Sequence, residues 1–272
     1  MPYFVTEDNC KLYYEEHGSG RPVIFIHGWG CNRHYFKKQY PAFEQHFKVL
    51  RYDQRGHGDS DRPEQGLTIP QLAKDLRQLI EFCGYEDVTL IGWSMGFTVL
   101  CEYLRTYGYD RVSKAVIIDM TVKEMADEDE GWPHLMDGKF NRKDCLDYLV
   151  YLLTDFDSAA KEFIDVMFGD GPCQEEKPWV LREVNKNTLH TMIHLWCSLT
   201  SMDFRDFVST IPIPCFYAHG AVKSMYSPEY AQWLTSQIPN CREESFNGGH
   251  ILFLQDAEHF NRSVIDFIAE PV

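Results

Sequence analysis

The chain has 272 residues, 44% of them hydrophobic and 14% aromatic, which is ample apolar material for one large α/β core with an insertion and excludes a disordered chain. A formal charge of −15 without any Lys/Arg run argues against a nucleic-acid partner and disfavours a strongly anionic substrate. No stretch approaches the ~20 apolar residues of a membrane span, and the start Met1-Pro2-Tyr3-Phe4-Val5-Thr6-Glu7-Asp8 lacks the basic-then-apolar pattern of a signal peptide, so a cytoplasmic protein is expected.

Two short strands, around residues 3–6 and 11–16, open the chain as an antiparallel sheet edge and lead to the turn His17-Gly18-Ser19-Gly20. Residues 23–26 then form an unbroken apolar run, as do 88–91, 115–118 and 215–218; such runs mark strands buried on both faces of a parallel sheet. Between them, Ile69, Leu72, Leu76, Leu79, Ile80 and Cys83 recur at helical spacing, with Thr68 as cap, Pro70 in the first turn and Gly84 as stop. Further helices are expected from Ser94 to about Tyr107 and over about 257–268. Alternating strands and helices predict a doubly wound, mostly parallel α/β sheet. The alternation stops between about 123 and 205, where segments such as 145–153, 158–168 and 188–199 read as amphipathic helix. The domain expectation is a core of residues 1–122 and 206–272 with a helical cap, 123–205, over the carboxyl ends of the strands, where it would exclude water. The acidic run Asp127-Glu128-Asp129-Glu130 reads as a solvated loop leading into it.

The pentapeptide Gly92-Trp93-Ser94-Met95-Gly96 follows the strand at 88–91 and opens a helix. Such a turn holds the central serine strained and exposed, which makes Ser94 the candidate nucleophile. A serine hydroxyl needs an imidazole to take its proton. His250, in Asn247-Gly248-Gly249-His250 between the last strand and the last helix, is preferred to His219, at a strand end, and to His259, on a helix. The imidazole needs a carboxylate, for which Asp119, ending the strand 115–118, is the candidate; the alternative is that Asp119 only caps the loop that follows. Asp203 and Asp206 are weaker candidates, in an apparent helical return from the cap. The backbone amides of Met95 and Trp29 could receive an oxyanion.

His27 reads as a residue that holds the Trp29 loop, and Asp53-Gln54-Arg55-Gly56-His57-Gly58-Asp59-Ser60 as its buttress rather than a phosphate loop. His190 and His194, four apart, could ligate a metal but have no third partner in sequence; a pocket or surface role is preferred. The nine scattered cysteines contain no C-x-x-C pair and suggest neither disulfides nor zinc, with Cys31 notable for its nearness to the Trp29 loop. Neither cofactor nor metal is expected. Trp132, Trp179, Trp196, Met192 and Met202 could line an apolar pocket or simply form the insertion's own core.

Together, His27-Gly28-Trp29-Gly30, the segment from Asp53 to Ser60, Gly92-Trp93-Ser94-Met95-Gly96 and Gly249-His250 resemble the α/β-hydrolase family in kind and order. The resemblance covers residues 1–122 and 206–272 and implies Ser94 as nucleophile, His250 as base, and Trp29 and Met95 as oxyanion donors. Two departures stand out. Many members carry an acid shortly after a glycine ending the penultimate strand, but Gly220-Ala221-Val222-Lys223-Ser224-Met225-Tyr226 has no carboxylate, which leaves Asp119, at an alternative position used by some members. Phe97 stands where relatives often have glycine. Serine at position 94 argues against the epoxide-hydrolase and dehalogenase chemistries of the family, which use aspartate. The expected function is hydrolysis of small-molecule carboxylic esters with small or medium, largely apolar acyl groups through an acyl-serine intermediate. The alternatives are an acyl-homoserine-type lactonase and a slow-turnover ligand receptor.

Overall fold

In the computed structural model, which describes residues 3–126, 132, 140–222 and 225–271, eight strands form one sheet. They are β1 (Tyr3–Val5), β2 (Lys11–His17), β3 (Pro22–Ile26), β4 (Lys48–Tyr52), β5 (Val88–Trp93), β6 (Val112–Ile118), β7 (Cys215–Gly220) and β8 (Cys241–Phe246), in the spatial order β1-β2-β4-β3-β5-β6-β7-β8. β1 and β2 pair antiparallel, as do β2 and β4, and every other pairing is parallel. The chain is therefore α/β with a mostly parallel, doubly wound sheet.

Every residue of β3 and β5 is buried, which is why these strands read as unbroken apolar runs. Alternate side chains feed two cores. Ile24, Ile26 and Leu90 pack with α2 (Ile69–Phe82) and α3 (Met95–Tyr107), while Val23, Phe25, Ile91 and Trp93 pack on the other face with α1 (Tyr40–Phe43) and α11 (Ala257–Ala269). α2 starts where its cap predicts: extended Thr68 accepts from the Gln71 amide at 3.4 Å, and Leu72, Leu76 and Leu79 are buried. Truncating one of these leucines to alanine costs about 2–5 kcal/mol.

β6 begins earlier than its apolar run suggested, because buried Lys114 is tolerated inside the strand. Its Nζ donates to the carbonyls of Phe267 (2.8 Å), Ile268 (3.1 Å) and Glu270 (2.5 Å), so the cation completes the carboxyl end of α11.

Between β6 and β7 lies a helical insertion: α4 (Arg142–Thr154), α5 (Phe156–Phe168), α6 (Lys177–Val184), α7 (Leu189–Thr200) and the short α8 (Arg205–Val208). Capping side chains mark several of its helix starts, with a capping box between Asn141 and Asp144 at α4, Asp155 at α5 and Thr188 at α7. Its base is closed by a bridge between Lys123 and Asp203, and the Phe204 amide donates to the Val122 carbonyl at 3.0 Å. The acidic run at 127–130 lies outside the described residues. After β7 come α9 (Pro228–Gln237) and, ahead of α11, the short α10 (Leu252–Gln255). No described helix is long and apolar enough to cross a membrane.

Candidate active site

Ser94 sits between β5 and α3 with φ 54° and ψ −128°, a conformation costing about 1–3 kcal/mol for a residue with a side chain. Neighbouring backbone leaves no alternative. A Cβ on Gly96 would lie 2.1 Å from the Ile26 carbonyl oxygen, and one on Gly92 would lie 2.7 Å from that of Gly96. The amide of Ser94 donates to Ile118 O at 3.2 Å, fixing the turn to β6, and its side chain keeps a narrow opening with the residue 8% exposed. Phe97 is buried in the α2–α3 core, and its Cα would meet a Cβ on Gly92 at 2.8 Å.

Asp119 directly follows β6, also in the left-handed region at φ 39°. Its amide donates to Ala218 O (2.8 Å) and its Oδ1 accepts from the Gly220 amide (3.2 Å), so the end of β7 supplies a donor to the carboxylate rather than a carboxylate of its own. Asp119 Oδ2 accepts from His250 Nδ1 at 2.7 Å, with both side chains buried. That bond leaves Nε2 as the ring's free acceptor.

The His250 loop needs its glycines: a Cβ on Gly249 would lie 2.9 Å from Met167 O, and one on Gly248 2.8 Å from Leu252 Cα. Trp93, the residue before Ser94, donates its indole N–H to the His250 carbonyl at 2.8 Å and packs on the His250 ring, as Tyr226 does from another side. The structure thus brings Asp119, His250 and the Ser94 turn together, although no hydrogen bond from Ser94 Oγ to the imidazole is formed among the described residues; apo sites are often looser than substrate complexes. His219 instead stacks on Tyr217 near Glu243, and His259 contacts Glu244 and Asp256. Asp203 pairs with Arg205 and Lys123 at the base of the insertion, and Asp206 lies in α8.

The loop after β3 places Trp29 beside this turn, since a Cβ on Gly28 would lie 3.0 Å from Ser94 Cβ. Two buried histidines shape it. His27 Nε2 accepts from the Gln54 amide (3.0 Å), so its proton sits on Nδ1 and goes to Gly28 O (2.9 Å). His57 Nε2 accepts from the Gly30 amide (3.2 Å) and its Nδ1 donates to Arg55 O (3.1 Å). Both rings must stay neutral to accept, and burial lowers their pKa values to about 4 for His27 and about 3 for His57. Arg55 anchors this buttress to α2 through two bonds to Asp75, at 2.5 and 2.7 Å. The Trp29 amide donates to no group among the described residues, and the Met95 amide, at the first position of α3, has no intrahelical acceptor. Cys31 is buried with its thiol donating to Trp29 O (3.3 Å), and burial pushes its pKa up.

Of the five large insertion-region side chains singled out, two reach this site. The Trp29 ring lies 5.0 Å from that of Trp196 and is also flanked by Phe163 and Tyr148, while Met192 Cε would lie 2.8 Å from a Cβ on Gly30. Trp132 packs instead on Tyr230 and Trp233, Trp179 on Tyr35, and Met202 is half-buried elsewhere in the core. His190 and His194 are exposed, His190 bonding Glu64 O at 2.9 Å, and no cluster of three metal-ligating side chains occurs among the described residues. Glu124 had no sequence signal: it is buried five residues beyond Asp119, accepts from Tyr226 Oη at 3.3 Å, and has its pKa raised by burial to about 7.

A strand-turn-helix serine, a buried Asp–His pair on the same sheet edge and an adjacent loop with an unengaged amide define a hydrolase of the doubly wound class. The chain belongs to the α/β-hydrolase fold family, whose profile matches residues 21–257. It is 26% identical over 268 residues to the AB hydrolase superfamily protein YisY of Bacillus subtilis, covering 97% of this chain and 98% of that one. Among solved structures it is similar to the esterase EaEST from Exiguobacterium antarcticum (TM-score 0.91, 25% identity, 99% of both chains) and to a bromoperoxidase from Bacillus anthracis (TM-score 0.87, 26% identity, 96% of both chains).

Proposed function

We propose that the protein hydrolyses carboxylic esters of small or medium, largely apolar acyl groups through an acyl-Ser94 intermediate. The observation that carries this reading is the buried Asp119–His250 bond beside a strained Ser94. His250 Nε2 takes the Ser94 proton as Oγ attacks the ester carbonyl, and Asp119 stabilises the imidazolium that forms. The carbonyl oxygen, now an oxyanion, is received by the Trp29 and Met95 amides. His250 returns the proton to the leaving alcohol, then removes one from water as its oxygen attacks the acyl carbonyl; the bond from that carbon to Ser94 Oγ breaks, Oγ takes the proton back from His250, and the acid is released. The apolar wall of Trp29, Phe163 and Trp196 supports an apolar acyl group, and the helical insertion serves as the cap that encloses it. Opening a lactone uses the same atoms, so lactones belong in the same assay.

The test is steady-state hydrolysis of p-nitrophenyl esters with two to twelve acyl carbons, together with a panel of lactones and a hydrogen-peroxide arm in view of the bromoperoxidase similarity. Ser94→Ala should abolish turnover. Activity retained in that variant would remove the acyl-serine mechanism, and stoichiometric acylation without turnover would favour a receptor.

A further inference from the structure

The loop carrying Trp29 is held from two sides. The core side is the His27–His57 buttress; the other is the helical insertion, through three side-chain hydrogen bonds within four consecutive residues. The Trp29 indole N–H donates to Met192 O in α7 (2.9 Å), Asn187 Nδ2 donates to Gly30 O (2.7 Å), and Asn32 Nδ2 donates to Glu183 Oε2 in α6 (2.7 Å). Asn187 lies on the turn between α6 and α7, and its Nδ2 also donates to Val184 O (2.9 Å), so the side chain bridges the end of α6 to the loop. Gly30 is consequently fixed at both ends, its amide by His57 and its carbonyl by Asn187, and its φ of 69° suits a glycine pressed against Met192. Gly28 O, in the same peptide as the Trp29 N–H, accepts from His27 Nδ1 (2.9 Å) and from the Cys31 amide (3.2 Å), while that N–H itself has no acceptor among the described residues.

We infer that Asn187 is a positioning residue for the oxyanion site, aiming the Trp29 amide from the insertion through the Gly30 carbonyl. The inference deepens the esterase reading and rests on it. Its physical basis is that an oxyanion donor works only when its direction is set before the reaction, and displacement by a fraction of an ångström weakens it. Without Asn187, Gly30 O turns to solvent and the Gly30–Cys31 peptide gains freedom, which loosens the bond from the Cys31 amide to Gly28 O (3.2 Å), the carbonyl that shares its peptide plane with the Trp29 N–H. The interaction that suffers is the one made to the tetrahedral oxyanion, while the acyl group still meets the same aromatic wall.

The test compares Asn187→Ala and Asn187→Asp with wild type. Aspartate keeps the shape but sets a carboxylate oxygen against Gly30 O. Both variants should lose about tenfold or more in kcat with KM within about twofold, the aspartate variant losing more, since removing an oxyanion donor outright costs about 10²–10³ in kcat. Affinity for a trifluoromethyl ketone carrying the preferred acyl chain should fall in parallel with kcat/KM, whereas affinity for the product acid should not. If both variants fold and retain wild-type kcat and ketone affinity, or lose only thermal stability, Asn187 is merely a structural tie and the inference is overturned. Wild-type protein with neither Ser94-dependent hydrolysis nor ketone binding would remove the esterase reading and this inference with it; hydrolysis indifferent to Asn187 would remove this inference alone.

Discussion

Protonating the buttress histidines should unfold the site from beneath. His27 and His57 are buried, accept backbone N–H bonds through Nε2 and have folded-state pKa values near 4 and 3, against 6.5 for an ordinary imidazole. A depressed pKa contributes stability that is present above about pH 6.5 and is lost as pH falls toward the folded values. At pH 5 the unfolded chain gains about 2 kcal/mol from protonating each ring, so about 4 kcal/mol of a typical 5–15 kcal/mol is removed between pH 7.5 and 5. His57→Gln can retain an acceptor for the Gly30 amide without titrating. The variant should be less stable at pH 7.5, through lost packing, yet lose about 2 kcal/mol less than wild type on going to pH 5. Urea unfolding followed by tryptophan fluorescence at pH 7.5, 6 and 5 measures this, and the carboxylates common to both proteins cancel in the difference. Parallel pH dependences in the two proteins would refute the neutral, accepting state of His57.

Asp119→Asn should lower kcat by on the order of a thousandfold or more while leaving KM within a few-fold, because an amide can present the wrong partner to His250 Nδ1; a loss below about threefold would leave Asp119 with only its loop-capping role. Glu124→Gln should stabilise the protein at pH 8 by up to about 3 kcal/mol, from a shift of roughly 2.5 pKa units at about 1.4 kcal/mol each. The sign follows from a raised pKa: the stability of the protonated carboxyl is complete below about 4.5 and is lost as pH rises through about 7. The gain should therefore vanish near pH 4.5, and a pH-independent difference in melting temperature would show that burial does not raise the Glu124 carboxyl.

The elements legible in the sequence are those whose residues answer to a local rule. Thr68, Gly84 and the apolar stripe between them announce α2 because capping and amphipathic spacing are properties of the segment alone. The Ser94 turn is legible for a similar reason, its glycines being demanded by contacts with residues close in sequence or on the neighbouring strand. Asp119 could be placed at a strand end beside the nucleophile, but the choice between acid and loop cap stayed open, since its partner His250 lies 131 residues away. Lys114 broke the apolar pattern that would have lengthened β6, as its partners are carbonyls more than 150 residues downstream. Asn187 and Glu124 were invisible for the same reason: a polar residue in a helical or loop stretch resembles solvated surface until the fold lays another segment over it.

The bridge between Lys123 and Asp203 lies only four residues past Asp119, while α6 and α7 grip the loop of Trp29. The helical insertion is therefore a poor module for exchange. A chimera that imported another hydrolase's insertion to change acyl preference would also replace the partners of Gly30, Trp29 and Asn32, and would make its splice beside the carboxylate. Successful grafts on this scaffold should carry the 28–33 loop together with the helices that clasp it, so that recognition and chemistry are transplanted as one piece.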